Sequence, residues 1–249
     1  MNGLSSMAVV ISYCGIGLFF IYKSKKTDAK LLIYVSIAGI CFGLQYLGSF
    51  IDFVTILLTD NNMDNPNGLY GILNQVWLPP AMIFSIYLAA ELLIPEKKWH
   101  IVSIYIVLGI IFELFILLDP MGSFTFVDPE SPGEDLIDSQ FTFGSPAGII
   151  FIIFFLSFIT FWGFGFLYKS VKSTGILRKK FLLLSIGSIY TLTFAIIDSL
   201  TSQGIIISSL DFVRLVVFCF FILVYEKNLL SPKNYILKRK LKLRADFSD

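Results

Sequence analysis

The chain has 249 residues, 56% of them hydrophobic and 15% charged, with a mean hydropathy of +0.79 and a net charge of +1. A soluble domain of this length needs more charge to cover its surface, which excludes a water-soluble enzyme or a nucleic-acid-binding module. The three cysteines, Cys14, Cys41 and Cys219, all fall inside apolar runs and read as small buried hydrophobes.

Crossing the hydrocarbon takes about 20 apolar residues per helix. Runs of that kind lie at 5–22, 31–58, 69–94, 99–118, 146–168, 181–201 and 205–229. The expected fold is an all-α membrane protein, a seven-transmembrane helix bundle over residues 1–230, followed by a basic tail at 231–249. The N-terminal "MNGLSSMAVVISYC" has neither a basic leader nor a small-residue cleavage site, so run 1 reads as a retained helix. Basic residues collect on the cytoplasmic side of membrane proteins. Here the connections after runs 1, 3 and 5, together with the tail, hold 18 of the 19 Lys and Arg residues. The connections after runs 2, 4 and 6 hold none and carry the acids Asp60, Asp64, Asp119, Asp128, Glu130, Glu134, Asp135 and Asp138. The N-terminus is therefore expected outside and the C-terminus inside a cell membrane crossed several times.

In chain order, run 2 carries Gln45 and Asp52. Run 3 contains "NQVWLPPAMIF" (74–84), in which Asn74 and Gln75 precede Pro79 and Pro80 by about a turn. Each proline removes a donor and displaces the carbonyl four residues back, here those of Gln75 and Val76. Such breaks persist in membranes where neighbours, side chains or water satisfy the freed groups. The prolines are thus expected to act as a hinge that bends helix 3. Run 4 carries Glu113. The connection 119–145 holds "SFTFV" (123–127) and "QFTFG" (140–144) around the acidic, turn-rich "DPESPGED", a pattern that predicts a β-hairpin lid with Phe124, Phe126, Phe141 and Phe143 on one face.

Run 6 carries Asp198, and run 7 carries Asp211 and Arg214, spaced to share a helix face. Asp52 and Asp198 stand near the outer ends of their helices and are expected to reach the interface. Ionisable groups in hydrocarbon cost about 2.5–3.5 kcal/mol each and usually face the bundle interior. Counted at 1.5 Å per residue from the basic ends, these polar groups lie in the outer half, with Arg214 near mid-depth. Gln45, Asn74, Gln75, Glu113, Asp198, Asp211 and Arg214 form the candidate ligand-binding set. Two readings stand: a structural polar clamp, or a water-filled pocket open to the outside that meets an unidentified small ligand. No cofactor or metal site is expected, since the lone His100 cannot supply a ligand set. The tail, with Lys238, Arg239, Lys240, Lys242 and Arg244, is expected to attract anionic lipid headgroups at about 1 kcal/mol per charge.

The chain also resembles itself. Run 1 leaves as "GIGLFFIYKSKKT" and run 5 as "GFGFLYKSVKST"; the following runs carry "VSIAGI" and "LSIGSI". Run 3 ends "LLIPEK" and run 7 "LLSPKN". These echoes suggest a parallel 3+1+3 repeat about an axis along the membrane normal.

Two stretches carry an outside likeness: "LPPAMIFSIYLAAELL" (78–93) and "FFILVYEKNLLSPKNY" (220–235). Through them the chain resembles the seven-transmembrane sensor module found at the N-terminus of many prokaryotic histidine kinases. The resemblance implies a receptor-like sensor without enzyme activity that signals through a separate cytoplasmic or membrane partner. It departs from that pattern in one large respect: no dimerisation helix, phosphoacceptor or ATPase domain follows. The alternatives are a small-solute transporter built on the three-plus-three repeat and an accessory membrane subunit.

Overall fold

The computed structural model describes residues 2–200, which are mostly helical. Four helices are long and apolar enough to cross a membrane: Gly3–Thr27, Leu69–Leu93, Pro95–Leu118 and Pro146–Val171. A bent pair, Lys30–Leu44 with Leu47–Thr59, makes a fifth if counted as one span. This is the make-up of a membrane protein. The elements are α1 (Asn2–Thr27), α2 (Lys30–Leu44), α3 (Leu47–Thr59), α4 (Leu69–Gln75), α5 (Leu78–Leu93), α6 (Lys98–Leu118) and the single turn α7 (Pro120–Ser123). A hairpin of β1 (Phe124–Val127) and β2 (Asp138–Phe141) follows. Then come α8 (Pro146–Phe158), a π-helical stretch (Ile159–Gly165), α9 (Phe166–Val171) and α10 (Gly175–Leu200). The expected run 7 and the basic tail lie outside the described residues.

Helix α5 is the axis of the packing, touching α2, α6, α8 and the π stretch. On α6 the buried positions are Val102, Tyr105, Gly109, Phe112 and Ile116, a stripe at helical spacing that meets α5 and α8. Much of the remaining surface of α6 is exposed yet apolar, at Ile104, Val107, Ile110, Leu114 and Leu118 among others. A helix that is greasy all round suits a lipid surround. Without a hydrophobic driving force between helices in lipid, close packing has to hold such a bundle. Phe112 and Phe154, both essentially inaccessible, lie with ring centroids 6.0 Å apart at the centre of the core.

The hairpin caps one end of the bundle. Phe124 pairs with Phe141, Thr125 with Gln140, Phe126 with Ser139 and Val127 with Asp138. Phe124 is buried, and Phe141 stacks on Phe151 at 4.4 Å and faces Phe112 at 6.0 Å. The second strand therefore lies earlier than the 140–144 stretch that alternation picks out. Residues 142–145 have other work. The Thr142 N–H donates to the Ser123 carbonyl, and the Ser145 hydroxyl accepts from the Gly148 N–H as the N-cap of α8, with Pro146 at its first turn. That turn ends the strand and leaves Phe143 61% exposed, so Phe143 does not join the aromatic face expected of it.

At the opposite end Lys98 pairs with Glu91 at 2.6 Å and lies over the rings of Tyr87 and Trp99, while Tyr34 packs on Tyr87. Tyr and Trp beside lysine are the usual furniture of a membrane–water boundary. The π stretch sits mid-span between α8 and α9. Its Gly163 carbonyl accepts from the Ser185 hydroxyl at 2.7 Å, and the Trp162 indole donates to the Ser85 carbonyl on α5 at 3.1 Å. A side chain of a neighbouring helix thus satisfies a backbone carbonyl where the chain has left α-helical register, and the Trp162 side chain ties the stretch to α5.

Candidate functional site

Two neighbouring spans are interrupted at one level. The first break, at Gln45 and Tyr46, bends α2 against α3 by 46°. It contains no proline, so the first turn of α3 keeps backbone N–H groups without partners in their own helix. Asn74 supplies the partner. Its side-chain oxygen accepts from the Gly48 N–H at 2.7 Å and the Ser49 N–H at 3.4 Å, capping α3 from another helix. The Tyr70 hydroxyl adds a 2.7 Å bond to the Ser49 hydroxyl. Gly48 is needed here, because a Cβ would collide with the Tyr70 carbonyl and the Asn74 side chain.

The second break, at Val76 and Trp77, separates α4 from α5. Pro79 and Pro80 stand in the first turn of α5, where their missing N–H groups would lack a helical partner in any case. Leu69–Leu93 still runs on as one span. The single bend above 40° among the described spans is at Gln45–Tyr46 rather than at the prolines. Here the prolines start a helix. Gly109 of α6 packs against Pro79, which puts α6 alongside this second break.

Four side-chain atoms at this level are buried with no hydrogen-bond partner among the described residues: Gln45 Nε2, Gln75 Oε1, Trp77 Nε1 and Glu113 Oε2. Buried polar groups in native proteins are almost always paired, so each of these calls for an explanation. Glu113 lies in a groove of about 310 Å³ between α5 and α6, with Pro79, Pro80, Ile83, Gly109 and Leu117 around it. That groove is otherwise apolar, and Gln45, Asn74 and Gln75 do not line it. The expected set is therefore divided. Asn74 is spent on the backbone of α3, Glu113 and both prolines share the groove, and Gln45 and Gln75 flank the breaks. Asp198 belongs to α10, its side chain lying outside what is described; Asp211 and Arg214 lie outside the described residues.

Comparison with known protein families, characterised proteins and solved structures returns no match. The site has to be read from its own geometry.

Reading by depth missed Asp52. Its side chain does not face solvent: it is fully buried. Its carboxylate accepts from the Met63 N–H at 2.8 Å, the Ile137 N–H at 2.9 Å and the Asn62 amide at 3.1 Å. Asn62 in turn donates to the Asp135 carbonyl and accepts from the Gly133 N–H, each at 2.8 Å. One acid on α3 thereby fastens the 60–68 connection to the segment leading into β2. Helical position alone does not show that Asp52 turns inward, because that depends on backbone donors far along the chain.

Proposed function

We propose that this chain is a receptor-like sensor of the cell membrane. In this reading it has seven spans, the N-terminus outside, the C-terminus inside, and a polar ligand pocket at the level of the two helix breaks. It signals through a separate cytoplasmic or membrane partner. The observation that supports the pocket is that Gln45 Nε2, Gln75 Oε1, Trp77 Nε1 and Glu113 Oε2 are buried without a partner among the described residues. Glu113 faces the groove between α5 and α6 while the other three flank the breaks, so the ligand in this reading carries donors and acceptors and reaches from the groove to the breaks. The likeness of 78–93 and 220–235 to kinase-linked sensor modules points the same way, and the basic tail would lie against anionic headgroups.

A thermal-shift ligand screen on the purified full chain tests the pocket. A stabilising ligand should lose its effect in Gln75→Leu and Glu113→Leu. A ligand that stabilises parent and variants alike counts against the pocket. Orientation is tested separately, by placing single cysteines at the exposed Glu134 and Thr174 in a chain freed of its native ones. An impermeant thiol reagent should label the first in intact cells and not the second.

A transporter reading draws on the interrupted spans, since discontinuous helices commonly build substrate sites in transporters. The break of the second span does not recur at its counterpart in the sequence repeat, however: α10 runs unbroken as far as it is described, and the counterpart of the third span lies outside the described residues. Flux of the identified ligand into proteoliposomes would favour the transporter; saturable binding without flux would favour the sensor.

A further inference from the structure

We propose that a second site, distinct from the polar level in the spans, lies at the hairpin end and binds a small organic cation: an ammonium group carried on an apolar body. A hollow of about 760 Å³ opens there between the 60–65 connection and the hairpin. Small-molecule sites typically measure about 300–1,000 Å³. Its lining is mixed: Phe124 and Ile137 are buried, Phe126 is half-buried and Met121 exposed, and Asn61, Asn65 and Thr125 add polar groups. Two exposed carboxylates, Asp64 and Asp128, line the hollow from different connections, and neither has an ion-pair partner among the described residues.

Charge sets the sign of the ligand. No Lys or Arg occurs between Lys30 and Lys97 or between Lys98 and Lys169, the stretches that build this end. Nothing nearby neutralises the acids, and a concave wall focuses their field. Aromatic rings add attraction, because a cation over a ring face gains about 0.5–2 kcal/mol, more as water is excluded. The hollow is held open in advance: Asp52 and Asn62 tie its two walls together, and Asn65 accepts from the Tyr70 N–H at 3.0 Å. A bare metal ion fits poorly, since no three His, Cys, Asp or Glu groups converge among the described residues.

The test is calorimetric titration of the full chain in detergent with benzyltrimethylammonium, using benzyl alcohol as the uncharged comparison. Saturable binding of the cation at one site, with no matching binding of the alcohol, is expected. Asp64→Asn combined with Asp128→Asn should weaken it by about tenfold or more, and Phe126→Leu by several-fold. Glu130→Gln removes the same charge from a residue outside the lining and should change affinity by less than about twofold. Both aspartates are exposed, so the double variant should melt as the parent does. The proposal is overturned if the cation does not saturate or the alcohol binds as well. It is also overturned if Glu130→Gln costs as much as the loss of either aspartate, which would mean diffuse attraction without a site.

Discussion

The bent second span and the proline-bearing third span behave in opposite ways. The second carries no proline, yet it bends by 46°, and the backbone and acid on its far side are paired with neighbours: Gly48 and Ser49 with Asn74, Asp52 with Met63, Ile137 and Asn62. The third carries two prolines, stays a single span, and leaves Gln75 Oε1 and Trp77 Nε1 buried with no partner among the described residues. A bend persists in lipid only if something outside the helix accepts its freed groups, so the partner decides where the chain turns. Prolines at a helix start free few groups and ask for little.

Four measurements would break or sharpen this contrast, all read as melting temperature and denaturation of the purified chain. Asp52→Ala should do most harm, at about 3–5 kcal/mol, because it strands buried donors from two connections at once. Faster proteolysis within 60–68 and 128–137 should accompany the loss; an unchanged melt would mean that the lash is ornamental. Asn74→Ala comes next, at about 1–3 kcal/mol for the uncapped first turn of α3. Replacing Pro79 and Pro80 together by alanine should shift stability by no more than about 1 kcal/mol in either direction. A loss larger than that of Asn74→Ala would reverse the comparison and make the prolines the structural element. Gln75→Leu should have the smallest effect, neutral or stabilising by up to about 1 kcal/mol, since it removes an acceptor with nothing to accept. A clear destabilisation there would reveal a partner beyond residue 200.

Much of this contrast could not be read along the chain. The apolar runs at 5–22, 69–94, 99–118 and 146–168 coincide with the long apolar helices, because length and hydropathy are local properties. The run at 31–58 looks continuous, since the partner of its break is Asn74, 26 residues beyond Gly48. For the same reason Asn74 resembles a pocket residue in sequence and serves as a cap in space. Asp52 is fixed by Ile137, 85 residues later, and no window of sequence contains both. Alternation finds strand character near 124–127 but cannot foresee that the Ser145 cap will take residues 142–145 and turn Phe143 outward. The π stretch "ITFWGFG" leaves only the trace of two glycines; the groups it bonds to, the Ser185 hydroxyl and the Ser85 carbonyl, are on other helices.

The 85-residue separation between Asp52 and Ile137 also bears on how the protein is made. Ribosomes add about 5–20 residues per second, so Ile137 emerges roughly 4–17 s after Asp52. In that interval α3 is complete and already carries a carboxylate whose final donors do not exist. Met63 arrives early and offers one N–H, but the bonds from Ile137 and the bridge through Asn62 to Gly133 and Asp135 must wait for α6. The nascent chain therefore passes through an obligatory stage in which its first spans are inserted but unfastened. A chain halted before residue 133 would remain at that stage, its acid lacking the Ile137 donor and its 60–68 connection unfastened, and would be a natural target for membrane quality-control proteases.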